Sequence, residues 1–160
     1  MALLLAHLLA FGLVLTALWA PPPALGAMDY AKQSLIGADF QGQDLRGTTF
    51  NLTNLREANL SGSDLRGASL FGAKLQDANL RGADLREATL DSSILRRADL
   101  RDARLEDAFA FNARFEDVHI AGADFTNVIL RKDQLRGLCQ RAEGNNPVTG
   151  RQTRRTLSCT

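Results

Sequence analysis

The stretch ANLRGADLREATL, Ala78 to Leu90, places leucine at every fifth residue (Leu80, Leu85, Leu90) and alanine two residues before each (Ala78, Ala83, Ala88). The pattern extends far in both directions. From Leu35 to Leu135, without one insertion, twenty of the twenty-one residues at five-residue intervals are large and apolar; the exception is Ala110. Two positions earlier the residue is Ala, Ser, Thr or Val, except for Gln33, Gln43 and Asp133 at or near the ends.

Neither regular element accommodates this period. On a helix a five-residue step rotates the side chain by about 140° net, which scatters the leucines around the cylinder. On a straight strand an odd step sends successive leucines to opposite faces. The period works only if the chain turns a corner within each unit. The large residue and the small one before it then face a common interior, and the other three positions face water. Corners of one hand close into a coil, and stacked coils make a solenoid with a continuous apolar centre. Burying each leucine is worth roughly 1.5–3 kcal/mol, so these residues dominate the folding balance. Glycine recurs at one corner position, at Gly37, Gly42, Gly47, Gly62, Gly67, Gly72, Gly82 and Gly122, as a turning backbone requires.

The number of walls per coil is not set by the period. ANLSGSDLRGASL (58–70) and ANLRGADLREATL (78–90) resemble the A(D/N)LXX signature of pentapeptide-repeat proteins. That resemblance implies an all-β fold, a right-handed quadrilateral β-helix with four units per coil. About five coils would form a rod roughly 25 Å long at strand spacing. MDYAKQSLIGADF, FNLTNLREANLSGS and LCQRAEGNNPVTGRQTRRTLSC resemble the thylakoid-lumenal members of cyanobacteria and chloroplasts.

Three segments are expected: a leader over 1–27, the repeat over 28–133, and a C-terminal cap helix and tail over 134–160. Residues 2–19 are apolar apart from His7 and Thr16, and PPPALGA follows. This reads as a secretory signal cleaved near Gly26 or Ala27, leaving no membrane attachment. An uncleaved anchor is the rival reading, without flanking anchor charges. The leader lacks the Ser- and Arg-rich composition of a chloroplast transit peptide, which favours a cyanobacterial origin. The expected location is the thylakoid lumen or the periplasm, which share one type of export signal.

Export bears on the two cysteines, Cys139 and Cys159. In an oxidising compartment they are expected to pair. Such a disulfide either staples the tail or acts as a redox switch that frees it. RKDQLRGLCQRAEG carries Leu135, Leu138 and Cys139 at helical spacing, with Gly144 as a stop. A short helix over the last coil follows from this, since a solenoid end exposes apolar core and unpaired edges. Met28 to Ser34 is read as a partial first coil, whose edge allows a monomer or a weak dimer.

With four walls, residues twenty apart share a face. Asp44, Asp64 and Asp84 then stack beside Arg46, Arg66 and Arg86, as a self-neutralising solvated face or as a docking stripe for a partner with complementary columns. The next wall carries Phe71, Phe109 and Phe111 around the break at Ala110. Either one phenylalanine turns inward to fill the missing volume, or Phe71, Phe109 and Phe111 form an exposed interaction patch.

No catalytic residues, cofactor site or metal site are expected. His119, expected to point outward, has no ligand partner at suitable spacing. The acidic residues occupy outward repeat positions, and a leucine-filled solenoid has no interior pocket. The expectation is a non-enzymatic structural or protein-interaction module with a protein partner of unknown identity and no nucleic acid. Two alternatives remain: a redox-responsive lumenal protein switched by Cys139–Cys159, and a DNA-mimic topoisomerase inhibitor. The mimic needs a strongly acidic cytosolic rod, whereas Ser34 to Asp133 holds sixteen acids against thirteen bases.

Overall fold

Parallel contacts join residues twenty apart along the repeat, from Asp29 with Thr49 to Phe109 with Ile129. The computed structural model describes residues 28–160; the expected leader and its cleavage near Gly26 or Ala27 lie outside the described residues. Four five-residue units make each coil. The first wall carries the column Asp29, Thr49, Ser69, Thr89, Phe109 and Ile129, and the second carries Ser34, Asn54, Lys74, Ile94 and Arg114. The third carries Asp39, Asn59, Asn79, Asp99 and His119, and the fourth carries Asp44, Asp64, Asp84, Arg104 and Asp124. Each wall meets its neighbour through one residue per coil, so the walls are too short to be extended strands.

The corners explain the period. Leu80 O accepts from Ala83 N–H at 3.0 Å, and Leu85 O accepts from Ala88 N–H at 3.1 Å. The third residue of each such turn has φ near +60°, as in Gly82 (+65°) and Glu87 (+59°). Positive φ at that position alone marks a type II turn. Glycine adopts it freely, whereas a residue such as Leu52 (φ +58°) does so at a cost of about 1–2 kcal/mol. Between coils, Leu80 N–H donates to Asp99 O at 2.8 Å and Asp99 N–H donates to Ala78 O at 2.9 Å. The same pair of bonds repeats along the rod, so the backbone polar groups of the walls are satisfied by the coils above and below.

Leu55 through Leu105 are fully buried at five-residue intervals, with alanine, serine or threonine two positions before each. The small residue cannot be large because a narrow tube already filled by leucine has no void to receive it. Two of the hydroxyl-bearing residues reach a carbonyl: Thr53 Oγ1 donates to Tyr30 O at 2.7 Å and Ser63 Oγ to Leu60 O at 2.7 Å. Both ends of the leucine column are closed by aromatics. Tyr30 stacks on Phe50 with centroids 5.2 Å apart, and Phe40 meets both edge-on. Tyr30 thus extends the inward series one unit before Leu35. At the other end Phe115 and Phe125 meet edge-on at 6.3 Å.

The inward series ends at Leu130. Leu135, although in phase, belongs to helix α1, Lys132–Cys139. The helix therefore starts two residues before the expected boundary at 134, because Arg131 (φ −72°, ψ 150°) is still extended and serves as its N-cap. Gly144 does not stop it. The helix ends at Cys139, and Gly144 (φ +76°) instead backs onto Gly122, where a Cβ would lie 3.1 Å from the Gly122 nitrogen. A short helix α2, Thr153–Thr156, follows. The described residues contain no helix long and apolar enough to cross a membrane.

Candidate interaction surface and its C-terminal boundary

Alternation on the first wall sends Phe109 and Phe111 outward on either side of inward Ala110. Phe71, Phe109 and Phe111 are 42%, 43% and 43% exposed, while Ala110 is fully buried. The inward-turned phenylalanine is therefore overturned: neither neighbour enters the core. Phe115 and Phe125, both larger than leucine, lie in the same coil and meet edge-on, so the inward volume of that coil is kept despite the small residue at 110. The same face gains two further apolar side chains. Ile129 pairs directly with Phe109 across adjacent coils, and both Ile129 and Leu52 are 52% exposed. Leu52 packs beside Gly72, where a Cβ would come within 2.6 Å of its Cδ2. Small Gly72 thus lets Leu52 lie along the corner next to Phe71.

The fourth wall is the opposite in character. Asp44, Asp64 and Asp84 each accept two hydrogen bonds from the arginine two residues on, at 2.6–2.8 Å. Asp64 and Asp84 also lie within ion-pair reach of the preceding coil, at 3.7 Å from Arg46 and 3.8 Å from Arg66. The Arg46 hydrogen bonds hold the Asp44 carboxyl at about 2. Arg66 likewise lowers Asp64. At Asp84 burial pushes the carboxyl up, and the hydrogen bonds from Arg86 more than offset it.

In the next coil the order inverts, with Arg104 first and Glu106 second. Arg104 Nη2 donates to Glu106 Oε1 at 3.1 Å. In the coil after that Asp124 is followed by Thr126, and the missing cation arrives from the tail. Arg151 Nη1 reaches Asp124 Oδ2 at 3.0 Å and Glu106 Oε1 at 3.6 Å. Asp124 is fully buried. Burial alone would raise its pKa, but hydrogen bonds from Thr126 and Thr149, with the Arg151 charge, hold it below the usual value. Asn146 locks the same turn. Its Nδ2 donates to Gly122 O at 2.9 Å and to Asp102 O at 3.2 Å, while its Oδ1 accepts Val148 N–H and Thr149 N–H at 3.0 Å each.

Three tail groups accept edge N–H groups of the last coil. Gln134 Oε1 of α1 takes Phe115 N–H at 3.0 Å, Glu143 O takes Gly122 N–H at 2.9 Å, and Thr156 Oγ1 of α2 takes Phe125 N–H at 3.0 Å. Leu138 and Leu157 are buried with the core. Cys139 and Cys159 form a disulfide, Cα to Cα 5.6 Å, which ties the end of α1 to the end of the tail. His119 is exposed on the third wall.

Pentapeptide repeats match residues 34–70 and 68–107 in eight copies. A pentapeptide repeat protein of the Arabidopsis thaliana thylakoid lumen is similar in structure, with a TM-score of 0.80 and 44% identity, over 81% of this chain and 90% of that one. The chain belongs to the pentapeptide repeat family. A pentapeptide repeat protein from Nostoc PCC 7120 matches with a TM-score of 0.55 and 33% identity over 66% of this chain and 87% of that one. No curated protein matches the chain. Membership accounts for the twenty-residue coil, which is that of the family's right-handed quadrilateral β-helix.

Sequence reasoning found Phe71, Phe109, Phe111 and the cysteine pair but not Leu52, Glu106, Asn146 or Arg151. Leu52 holds a corner position usually filled by a small or polar residue, which is a readable signal. The inversion at Arg104 and Glu106 is another. Asn146 and Arg151 follow no repeat and carry no such signal.

Proposed function

We propose that this pentapeptide repeat protein is a non-enzymatic interaction module of the thylakoid lumen or periplasm that binds a protein partner through its first wall. The observation that carries the reading is the exposed apolar face formed by Phe71, Phe109, Phe111, Leu52 and Ile129. Apolar side chains gathered on one face mark an interaction site more often than scattered ones do. The fourth wall, self-neutralised by its own arginines, is the weaker candidate, because paired exposed charges contribute little to binding. The C-terminal segment serves as the rod's cap, supported by its bonds to three edge N–H groups.

Crosslinking and pulldown from fractionated thylakoids and periplasm test the proposal. A partner captured by the wild type and lost with Phe71→Ser/Phe111→Ser, at unchanged melting temperature, is the expected result. Retention of every captured partner by the double variant overturns it. The same fractions locate the protein.

A second reading rests on the disulfide. Cys139–Cys159 joins the two ends of the segment that covers the C-terminal edge, so its reduction would loosen the cover and make partner binding redox-responsive. Identical melting and identical capture by oxidised and reduced protein would remove this reading.

A further inference from the structure

The C-terminal end holds a cleft of about 670 Å³ that the interaction reading does not use. It lies between the last corner of the fourth wall, the turn around Gly150 and helix α2. Arg151 and Arg155 both line it, together with Asn127, Asn145, Gln152 and Ser158, and no aspartate or glutamate is among its lining residues.

The donors around it are largely uncommitted. Arg151 uses Nη1 on Asp124 and Thr126, at 3.0 and 3.2 Å, with Glu106 at 3.6 Å from the same nitrogen. Its Nε and Nη2 meet no protein acceptor among the described residues. Arg155 is exposed and forms no ion pair among the described residues. The nearest carboxylate, Asp124, is fully buried and already accepts from Thr126, Thr149 and Arg151.

A backbone donor points the same way. At equivalent corners of the fourth wall the N–H donates along the axis to the next coil, as Glu87 N–H to Glu106 O at 3.1 Å and Asp107 N–H to Thr126 O at 3.0 Å. The next in this series is Asn127. No coil follows it on this wall, and its N–H meets no protein acceptor among the described residues. The repeat therefore leaves this N–H unused at the end of the wall, on a residue that lines the cleft.

We propose that the cleft binds a small organic phosphate, a phosphate monoester on a polyol- or sugar-sized body. Guanidinium forks match phosphate oxygens, two at a time. A dianion with three free oxygens can engage both arginines and the Asn127 N–H, whereas a carboxylate saturates one fork. Backbone N–H groups at turns are established components of anion sites. The volume lies in the range of small-molecule sites, roughly 300–1,000 Å³, and exceeds what a bare phosphate needs. Asn145, Gln152 and Ser158 supply neutral donors and acceptors suited to hydroxyl groups.

Isothermal titration calorimetry and amide NMR on the oxidised full chain test this, with glucose 6-phosphate, glycerol 3-phosphate, inorganic phosphate and glucose as probes. The esters are expected to give saturable shifts confined to Asn127 and residues 145–158. Arg155→Gln, which leaves the tail's internal contacts intact, is expected to weaken ester binding by about tenfold or more, roughly the loss of one charge-assisted pair. Glucose is expected not to bind. Absence of saturable shifts at about 10 mM ester, a Kd weaker than any specific small-ligand site here would have, overturns the proposal. So does unchanged ester affinity in Arg155→Gln, or equal affinity for inorganic phosphate and the esters.

Discussion

At the residue scale, fold and stability depend on what fills the tube. Leu80 is fully buried mid-rod, between coils whose large inward residues are all leucine. Leu80→Ala is expected to destabilise by about 2–5 kcal/mol, since the neighbouring walls are hydrogen-bonded in place and cannot collapse into the void. Urea unfolding followed by circular dichroism measures it. Ala110 is the natural counterpart, a small residue at a large position in a coil that carries two buried phenylalanines, Phe115 and Phe125, in place of leucines. Ala110→Leu is accordingly expected to destabilise by about 1–3 kcal/mol through overpacking. Glycine matters most at Gly122, where φ is +75° and an added Cβ would press on Asp102 and the Asn145 carbonyl.

At the scale of elements, the fourth wall ties stability to acid. Asp44 sits at about 2, below the ordinary carboxylate value of 3.8, and Asp64 and Asp84 are lowered as well. Between those values the unfolded chain binds more protons than the folded one. Stability is therefore intact above pH 4 and is expected to fall as pH drops from about 4 toward 2. Melting temperatures at successive pH values check this, and the effect should shrink in high salt because most of these pairs are exposed. The inward and outward faces were legible in the sequence, since the period fixes which side chains face the axis; that columns stack twenty apart followed from the resemblance to pentapeptide repeats, not from the period. The C-terminal segment was legible only in outline. Leu135 keeps the five-residue phase yet lies in α1, because the helix begins as soon as Arg131 leaves the wall. Gly144 resembles a helix stop, yet its role is close approach to Gly122. In the candidate surface, the exposure of Phe109 and Phe111 could not be decided from sequence, because it depends on whether other residues of the same coil fill the gap at Ala110. Tail contacts such as Asn146 with Gly122 O span 24 residues outside any repeat, so no period announces them.

At the scale of the whole molecule, the rod is a stack in which each coil contacts its neighbours, with special chemistry only at the ends. The disulfide closes a loop of 20 residues, which on the chain-entropy model stabilises by about 3 kcal/mol. Cys139→Ser/Cys159→Ser is expected to lower the melting temperature while leaving the β-type circular dichroism of the coils in place. Faster amide exchange should appear at Phe115, Gly122 and Phe125, whose N–H groups are held by the tail. Unchanged exchange at all three would mean that the tail stays docked without the covalent link.

The reversed charge order at Arg104 and Glu106 works as an address label for the C-terminal tail. Arg151 lies within ion-pair reach of both Glu106 and Asp124, carboxylates of adjacent coils, and Thr126 rather than an arginine follows the second. Duplicating residues 69–88 upstream of that label would lengthen the molecule by one storey, about 4.8 Å, with the tail still seated. An extra storey inserted between Glu106 and Asp124 would part the two carboxylates and leave the tail without its landing mark.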